Sequence, residues 1–227
     1  MPAAAALVLF DIDGTLIRSA GPHHKRALVD AIAAVTGLAT TLDGVDTSGR
    51  LDRDLIRLML SNAGAPPEAI DQAMPHVVRL AQELYSKGLP DLRRKVCPGV
   101  RHALRKLHGS RVPMGLVTGN LTRIGWQKME RSGLLSYFRF GAFAEQARTR
   151  AGLVAIAMRQ ARTAGWLRRD TVVSLVGDHP NDIEAAKRNG IRAVAVATGV
   201  VPRAALIACT PDLLLSDLRG MKVEMFL

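Results

Sequence analysis

Apolar residues run unbroken from Leu7 to Phe10 and stop at Asp11-Ile12-Asp13-Gly14-Thr15. A short apolar run ending so abruptly predicts that Ala3 to Phe10 is a buried strand. The period of the pattern then changes. From about Pro22 to Ser86, apolar positions recur at helical spacing over Lys25 to Val35, Asp52 to Ala63 and Pro67 to Tyr85. Pro75 is expected to kink or split the last of these. Beyond Val96, short apolar strands alternate with helical segments. The strands are Val112 to Thr118, Phe138 to Phe143, Thr171 to Asp178, Ala193 to Thr198 and Asp212 to Ser216. The helices are Val100 to Leu107, Thr122 to Ser132, Gly152 to Ala164, Asp182 to Asn189 and Arg203 to Ala208.

Such alternation, with strands apolar along their whole length, predicts an α/β fold: a Rossmann-like, doubly wound parallel sheet covered on both faces. Right-handed crossovers place the strand carboxyl ends along one edge, where ligands bind in such folds. The first strand belongs to this sheet by composition, so the helical block reads as an insertion. The expected organisation is a core of residues 1–16 and 95–227 and a helical cap domain of residues 17–94.

Composition narrows the class. At 227 residues with 48% hydrophobic content, the chain can bury a substantial core. No apolar run approaches the roughly 20 residues that span a bilayer, and Ala3 to Phe10 lacks the basic flank and cleavage site of a signal peptide. Two cysteines, Cys97 and Cys209, form no framework and no ligand pair, so a cytoplasmic protein is expected. A net charge of +11 invites a nucleic-acid reading. The basic residues are scattered, however, and 4% aromatic content is too little for a base-stacking platform. Nucleic acid and membrane are therefore not expected partners, whereas small anionic molecules are. The apolar tail Val223 to Leu227 needs burial, in a monomer or a homodimer.

The chemistry lies at three strand ends. Asp11 and Asp13 close the first, and two like charges so near need a cation or a shared proton. Gly14 permits a sharp turn, and Thr15 can cap or hydrogen-bond the segment beyond it. The second bears Thr118-Gly119-Asn120 ahead of a helix, where a hydroxyl, an amide and orphan N–H groups suit a phosphate. The third ends in Gly177-Asp178-His179-Pro180-Asn181-Asp182, whose carboxylates four apart suit a hard cation. Arg150 stands just ahead of the helix expected near Gly152, where a permanent cation could hold a phosphoryl oxygen. Taken singly, each is also an ordinary turn, loop or helix cap, Asp182 being a good N-cap by itself.

Asp11-Ile12-Asp13-Gly14-Thr15, then Thr118, a basic residue, and Gly177-Asp178 with Asp182, resemble in order the haloacid dehalogenase-like (HAD) hydrolase superfamily. The helical insertion resembles the cap of its phosphoglycolate phosphatase-like branch, as does Gly49-Arg50, where related caps carry a substrate-facing loop. The resemblance implies hydrolysis of a small phosphomonoester, with Asp11 as nucleophile and Asp13 as general acid/base. It implies Mg²⁺ held by Asp11, the backbone carbonyl of Asp13, and Asp178, with Asp182 ligating or ordering the surroundings. Thr118, Gly119 and Asn120 would bind the phosphoryl group, Arg150 would balance its charge, and Arg50 would meet the substrate. Dehalogenases of the superfamily lack an acid at the Asp13 position, so phosphoryl chemistry is implied. The third motif usually supplies lysine; here it is arginine, Arg150, with Arg148 as a rival.

Other residues carry plainer readings. His23-His24-Lys25 reads as a solvated helix start, because adjacent side chains on a helix face different directions. His179 reads as loop packing, since histidine suits softer metals than Mg²⁺. Arg50 is as consistent with an exposed surface cation as with a substrate contact. Asp52 reads as a first-turn helix residue, and Trp126 and Trp166 as packing residues. Two alternatives to the phosphatase remain: a sugar-phosphate phosphomutase of the same superfamily, and a catalytically silent binding protein on this fold.

Overall fold

The computed structural model describes residues 5–18 and 21–226; Ala3 and Ala4 of the first apolar stretch and Leu227 of the tail lie outside them. Among the described residues the strands are β1 (Ala6–Phe10), β2 (Met114–Val117), β3 (Phe140–Ala142), β4 (Val172–Gly177), β5 (Arg192–Val196) and β6 (Leu213–Leu215). They form one sheet in the order β3-β2-β1-β4-β5-β6, every pairing parallel. The α/β fold and its parallel sheet are as the strand–helix alternation requires. The chain builds outward from β1 first through β2 and β3, then back through β4, β5 and β6. The switch of direction therefore falls beside β1, where a doubly wound sheet opens its ligand crevice.

All five β1 residues are buried, and their side chains alternate between two cores. Leu7 and Leu9 face a cluster with the helices α6 (Arg150–Thr163) and α7 (Pro180–Arg188). Val8 and Phe10 face one with α4 (Val100–Gly109) and the tail, where Phe226 is fully buried. Phe226 of the apolar tail is thus buried within the chain itself, with Val223 and Met225 partly buried beside it.

Between β1 and β2 lie α1 (His23–Thr36), α2 (Asp52–Asn62) and α3 (Pro67–Lys87). Their apolar faces, including Leu28, Ile32, Leu55, Met59, Met74 and Val77, join the first cluster. Leu121 and Ile124, the latter on α5 (Thr122–Ser132), belong to it too, so the insert packs against that helix. Polar ties reinforce the seat: Arg123 N–H donates to Gln82 Oε1 at 2.7 Å and Gln127 Nε2 donates to Ser86 Oγ at 2.7 Å.

Some expected boundaries move. Pro75 does not split α3, which runs on to Lys87. The amide that proline lacks would have bonded Asp71, and both residues are exposed, so water can serve the freed carbonyl. Helix α6 begins at Arg150 and not beyond it, capped by Thr149, whose Oγ1 accepts from Gly152 N–H. Helix α7 begins at Pro180, so its N-cap is His179 and not Asp182, which sits in the first turn.

Candidate active site

The strand ends converge on a cavity of about 610 Å³ lined by Asp11, Asp13, Thr118, Gly119, Asn120, Arg150 and Asp178, with Arg50 from the insert. That volume suits a small metabolite. The sequence-assigned groups are brought to one place, with Asp182 immediately behind them.

β1 stops at Phe10, and Asp11 follows the last buried apolar residue. Its Oδ1 accepts from Arg150 Nη1 at 3.0 Å, and the same nitrogen donates to Asp182 Oδ1 at 2.8 Å. Arg150 is buried among these carboxylates, whereas Arg148 is exposed. The reason is helical geometry: the first residue of α6 points back along the helix toward the strand ends, while Arg148 lies before the cap. Asp182 is held from its other side by the N–H of His179, which reaches its Oδ2 at 3.2 Å.

Asp11, Asp178 and Asp182 each present a carboxylate oxygen within 4.8 Å of the others, all buried. Burial and the charges of Asp182 and Asp13 raise the Asp11 carboxyl to about 6 despite Arg150. Burial, then Asp11 and Asp182, raise Asp178 to about 8. Burial also raises Asp182, partly offset by Arg150. One guanidinium does not satisfy three crowded acids, and an all-oxygen donor set of this kind suits a hard divalent cation. Gly14 matters here. Its φ of +85° favours glycine, and a Cβ would sit on the Asp178 carboxylate. The turn delivers Thr15, whose hydroxyl donates to Asp178 Oδ1 at 2.9 Å.

Thr118 is fully buried, its Oγ1 accepting from Asn120 Nδ2 at 2.6 Å. Asn120 Nδ2 also donates to Asp13 Oδ2 at 2.8 Å. Burial alone would raise the Asp13 carboxyl, but the charge of Lys128 and hydrogen bonds from Lys128 and Asn120 hold it below the usual carboxylate range.

Lys128 is a member of the site that its sequence context did not announce. It is 1% exposed, and its Nζ lies 2.6 Å from Asp13 Oδ2. The signal was present: Ile124, Gly125, Lys128, Met129 and Ser132 are the buried stripe of α5, so a lysine occupies a core-facing helical position. His24 corrects the reading of a solvated helix start. It shares a face with Ala27, Leu28 and Ala31, and its Nε2 meets Asp52 Oδ2 at 2.8 Å. Asp52 is the first residue of α2, as expected, but it is buried and also accepts from Leu121 N–H at 2.8 Å. Trp126 and Trp166 do pack, against Phe143 and Phe140 respectively. His179 caps α7 through Nδ1, which accepts from Asn181 N–H at 3.1 Å, and its ring lies against Gly49.

The model of the haloacid dehalogenase-like hydrolase family matches residues 53–196. The chain belongs to that family. It is 29% identical over 215 residues to a phosphoglycolate phosphatase of Synechococcus elongatus, covering 92% of this chain and 91% of that protein. It is 26% identical over 221 residues to the phosphoglycolate phosphatase of Pseudomonas putida, covering 95% and 78%. These relatives place it in the phosphoglycolate phosphatase-like branch, as an enzyme of phosphatase type. The fold is shared with β-phosphoglucomutase from Clostridium difficile, at a TM-score of 0.67, 15% identity and coverage of 98% and 95%. A hydrolase from Pseudomonas syringae superposes equally well, with a TM-score of 0.67, 16% identity and coverage of 94% of each chain. Among the described residues no helix is long and apolar enough to cross a membrane.

Proposed function

We propose that this protein is a cytoplasmic, Mg²⁺-dependent phosphomonoesterase that hydrolyses a small phosphorylated metabolite through an aspartyl-phosphate on Asp11. The single observation that carries this reading is the placement of Asp11: its carboxylate lines the cavity and is held by Arg150, within 4.8 Å of Asp178. Under this reading residues 17–94 are a cap domain over a core of residues 1–16 and 95–227.

Asp11, Asp178 and the backbone carbonyl of Asp13 would hold the Mg²⁺. Asp182, with both oxygens engaged by Arg150 and His179, orders the site behind them. When bound, the ion offsets the crowded carboxylates and the charge of the phosphoryl group. A carboxylate of Asp11 attacks phosphorus, while the Thr118 hydroxyl, the Asn120 amide and Arg150 hold the equatorial oxygens. Asp13 gives a proton to the leaving alcohol and takes one from the water that cleaves the acyl phosphate. The ionised form, favoured by Lys128, is the one the second step needs. An arriving phosphate dianion beside Asp13 raises its proton affinity, which prepares the first.

Arg50 is exposed yet lines the cavity, so it meets the part of the substrate remote from the phosphate. The test is phosphate release from a panel of phosphorylated metabolites, phosphoglycolate included, with Mg²⁺ and with chelator. Mg²⁺-dependent release supports the reading. No release from any member overturns it, and labelled phosphate passing to a sugar hydroxyl in place of water would identify a mutase instead.

A further inference from the structure

Lys128 is a buried ammonium, and its surroundings account for all three of its N–H donors. Nζ lies 2.6 Å from Asp13 Oδ2, 2.5 Å from Asn120 Oδ1 and 3.3 Å from His24 Nδ1. The three acceptors come from different places: the turn after β1, the loop after β2, and helix α1 of the cap. Nitrogen Nε2 of His24 faces the Asp52 carboxylate, an acceptor, so that nitrogen carries the proton and Nδ1 is free to accept from Lys128. Asp52, on the cap, in turn receives the N–H of Leu121 at the start of α5. The chain of contacts runs from the cap into α5 and back to Asp13.

Asp13 itself is loosely housed apart from this. Its side chain is 40% exposed, and its two hydrogen bonds both fall on Oδ2, from Lys128 and Asn120. Nothing else among the described residues bonds its carboxylate. The orientation of Asp13 therefore depends on a lysine whose own third bond belongs to the cap.

We propose that Lys128 is a positioning residue for Asp13, and that through His24 and Asp52 it makes the placement of Asp13 depend on the cap being seated. The inference rests on the reading of the site as a phosphomonoesterase. A flexible stem ending in three tetrahedral donors suits three acceptors from three segments; the planar guanidinium of arginine does not. Seating the cap lets His24 complete the tripod, and the completed tripod fixes the carboxylate that must move the proton. An unseated cap leaves Asp13 free to turn, so substrate met by an open site is not wasted on a misplaced acid.

The experiment compares wild type with Lys128→Met, Lys128→Arg and His24→Ala on two substrates, an alkyl phosphomonoester from the panel and p-nitrophenyl phosphate. The aryl leaving group departs without a proton, so formation of the acyl phosphate from it does not need Asp13. For Lys128→Met the expected result is a fall of at least about tenfold in kcat/KM on the alkyl ester, carried by kcat with KM within about twofold. On the aryl ester kcat/KM should stay within about threefold. Lys128→Arg should not rescue. His24→Ala, which spares the contact of Lys128 with Asp13, should show the same bias at about threefold. Equal losses on both substrates mean a merely structural role and overturn the proposal, as does wild-type activity in Lys128→Met. Should Lys128→Met fail to fold, the substrate bias of His24→Ala decides alone. Wild-type protein inactive on both esters with Mg²⁺ would instead sink the phosphomonoesterase reading, a separate outcome.

Discussion

Asp11 and Asp13, one residue apart, are held by different cations: Oδ1 of Asp11 by Arg150 at 3.0 Å, and Oδ2 of Asp13 by Lys128 at 2.6 Å. The two carboxyls are nevertheless pushed in opposite directions. Burial and neighbouring acids raise Asp11 to about 6, while Lys128 and Asn120 overcome burial and lower Asp13. Pairs whose environments separate them in this way are suited to different jobs.

Asp11→Asn removes the nucleophile while keeping its shape. Phosphate release should fall by about 10³-fold or more, with a circular-dichroism melt no lower than wild type, because one of three crowded acids has become neutral. Retained turnover would exclude Asp11 as nucleophile.

Arg150→Ala should cost at least ~10²-fold in kcat, the usual scale for losing a group that stabilises transferring charge. Arg148→Ala, at an exposed position, should stay within about twofold. Steady-state assays of the two variants side by side separate the neighbouring arginines.

Gly14→Ala forces a side chain into a φ of +85° and onto the Asp178 carboxylate. The Mg²⁺ concentration giving half-maximal activity should rise by ~10-fold or more, the scale seen when groups around a metal ligand are disturbed. A metal titration of activity reads this directly.

Stability of the metal-free protein should fall as pH rises from about 4 to about 8. Asp11 and Asp178 have folded values of about 6 and about 8 against an ordinary 3.8, so in that window the folded state binds more protons than the unfolded. Raising pH then favours unfolding. Asp13 is shifted the other way, and its stabilising contribution is already complete above the ordinary carboxylate value, so it does not reverse the sign. Mg²⁺ should raise Tm most at the upper end of the window, where the carboxylates it would neutralise are charged. Thermal melts across pH, with Mg²⁺ and with chelator, check both trends.

Arg50→Ala should raise KM several-fold with kcat within about twofold, as expected for a group that binds substrate equally in ground and transition states. A fall in kcat at constant KM would move Arg50 into the reacting centre.

Much of this molecule was legible without coordinates. The continuous apolar strands dictated a sheet covered on both faces, and a carboxylate following such a strand can only emerge at its carboxyl end. Asp11, Thr118 and Asp178 were therefore assignable to one edge from sequence order alone. Arg150 and Arg148 were not separable in the same way, because one residue's difference in where α6 starts decides which cation faces the site. The inward placement of Lys128, His24 and Asp52 is not legible in the same way, because charged residues on helices usually face water. Only the packing of α1 and α2 on α3, and of α3 on α5, brought those residues together, and burial then forced each charge to find a partner. Asp11 and Asp13 were set two apart by the sequence, but which cation each one meets was decided by helices distant in the chain.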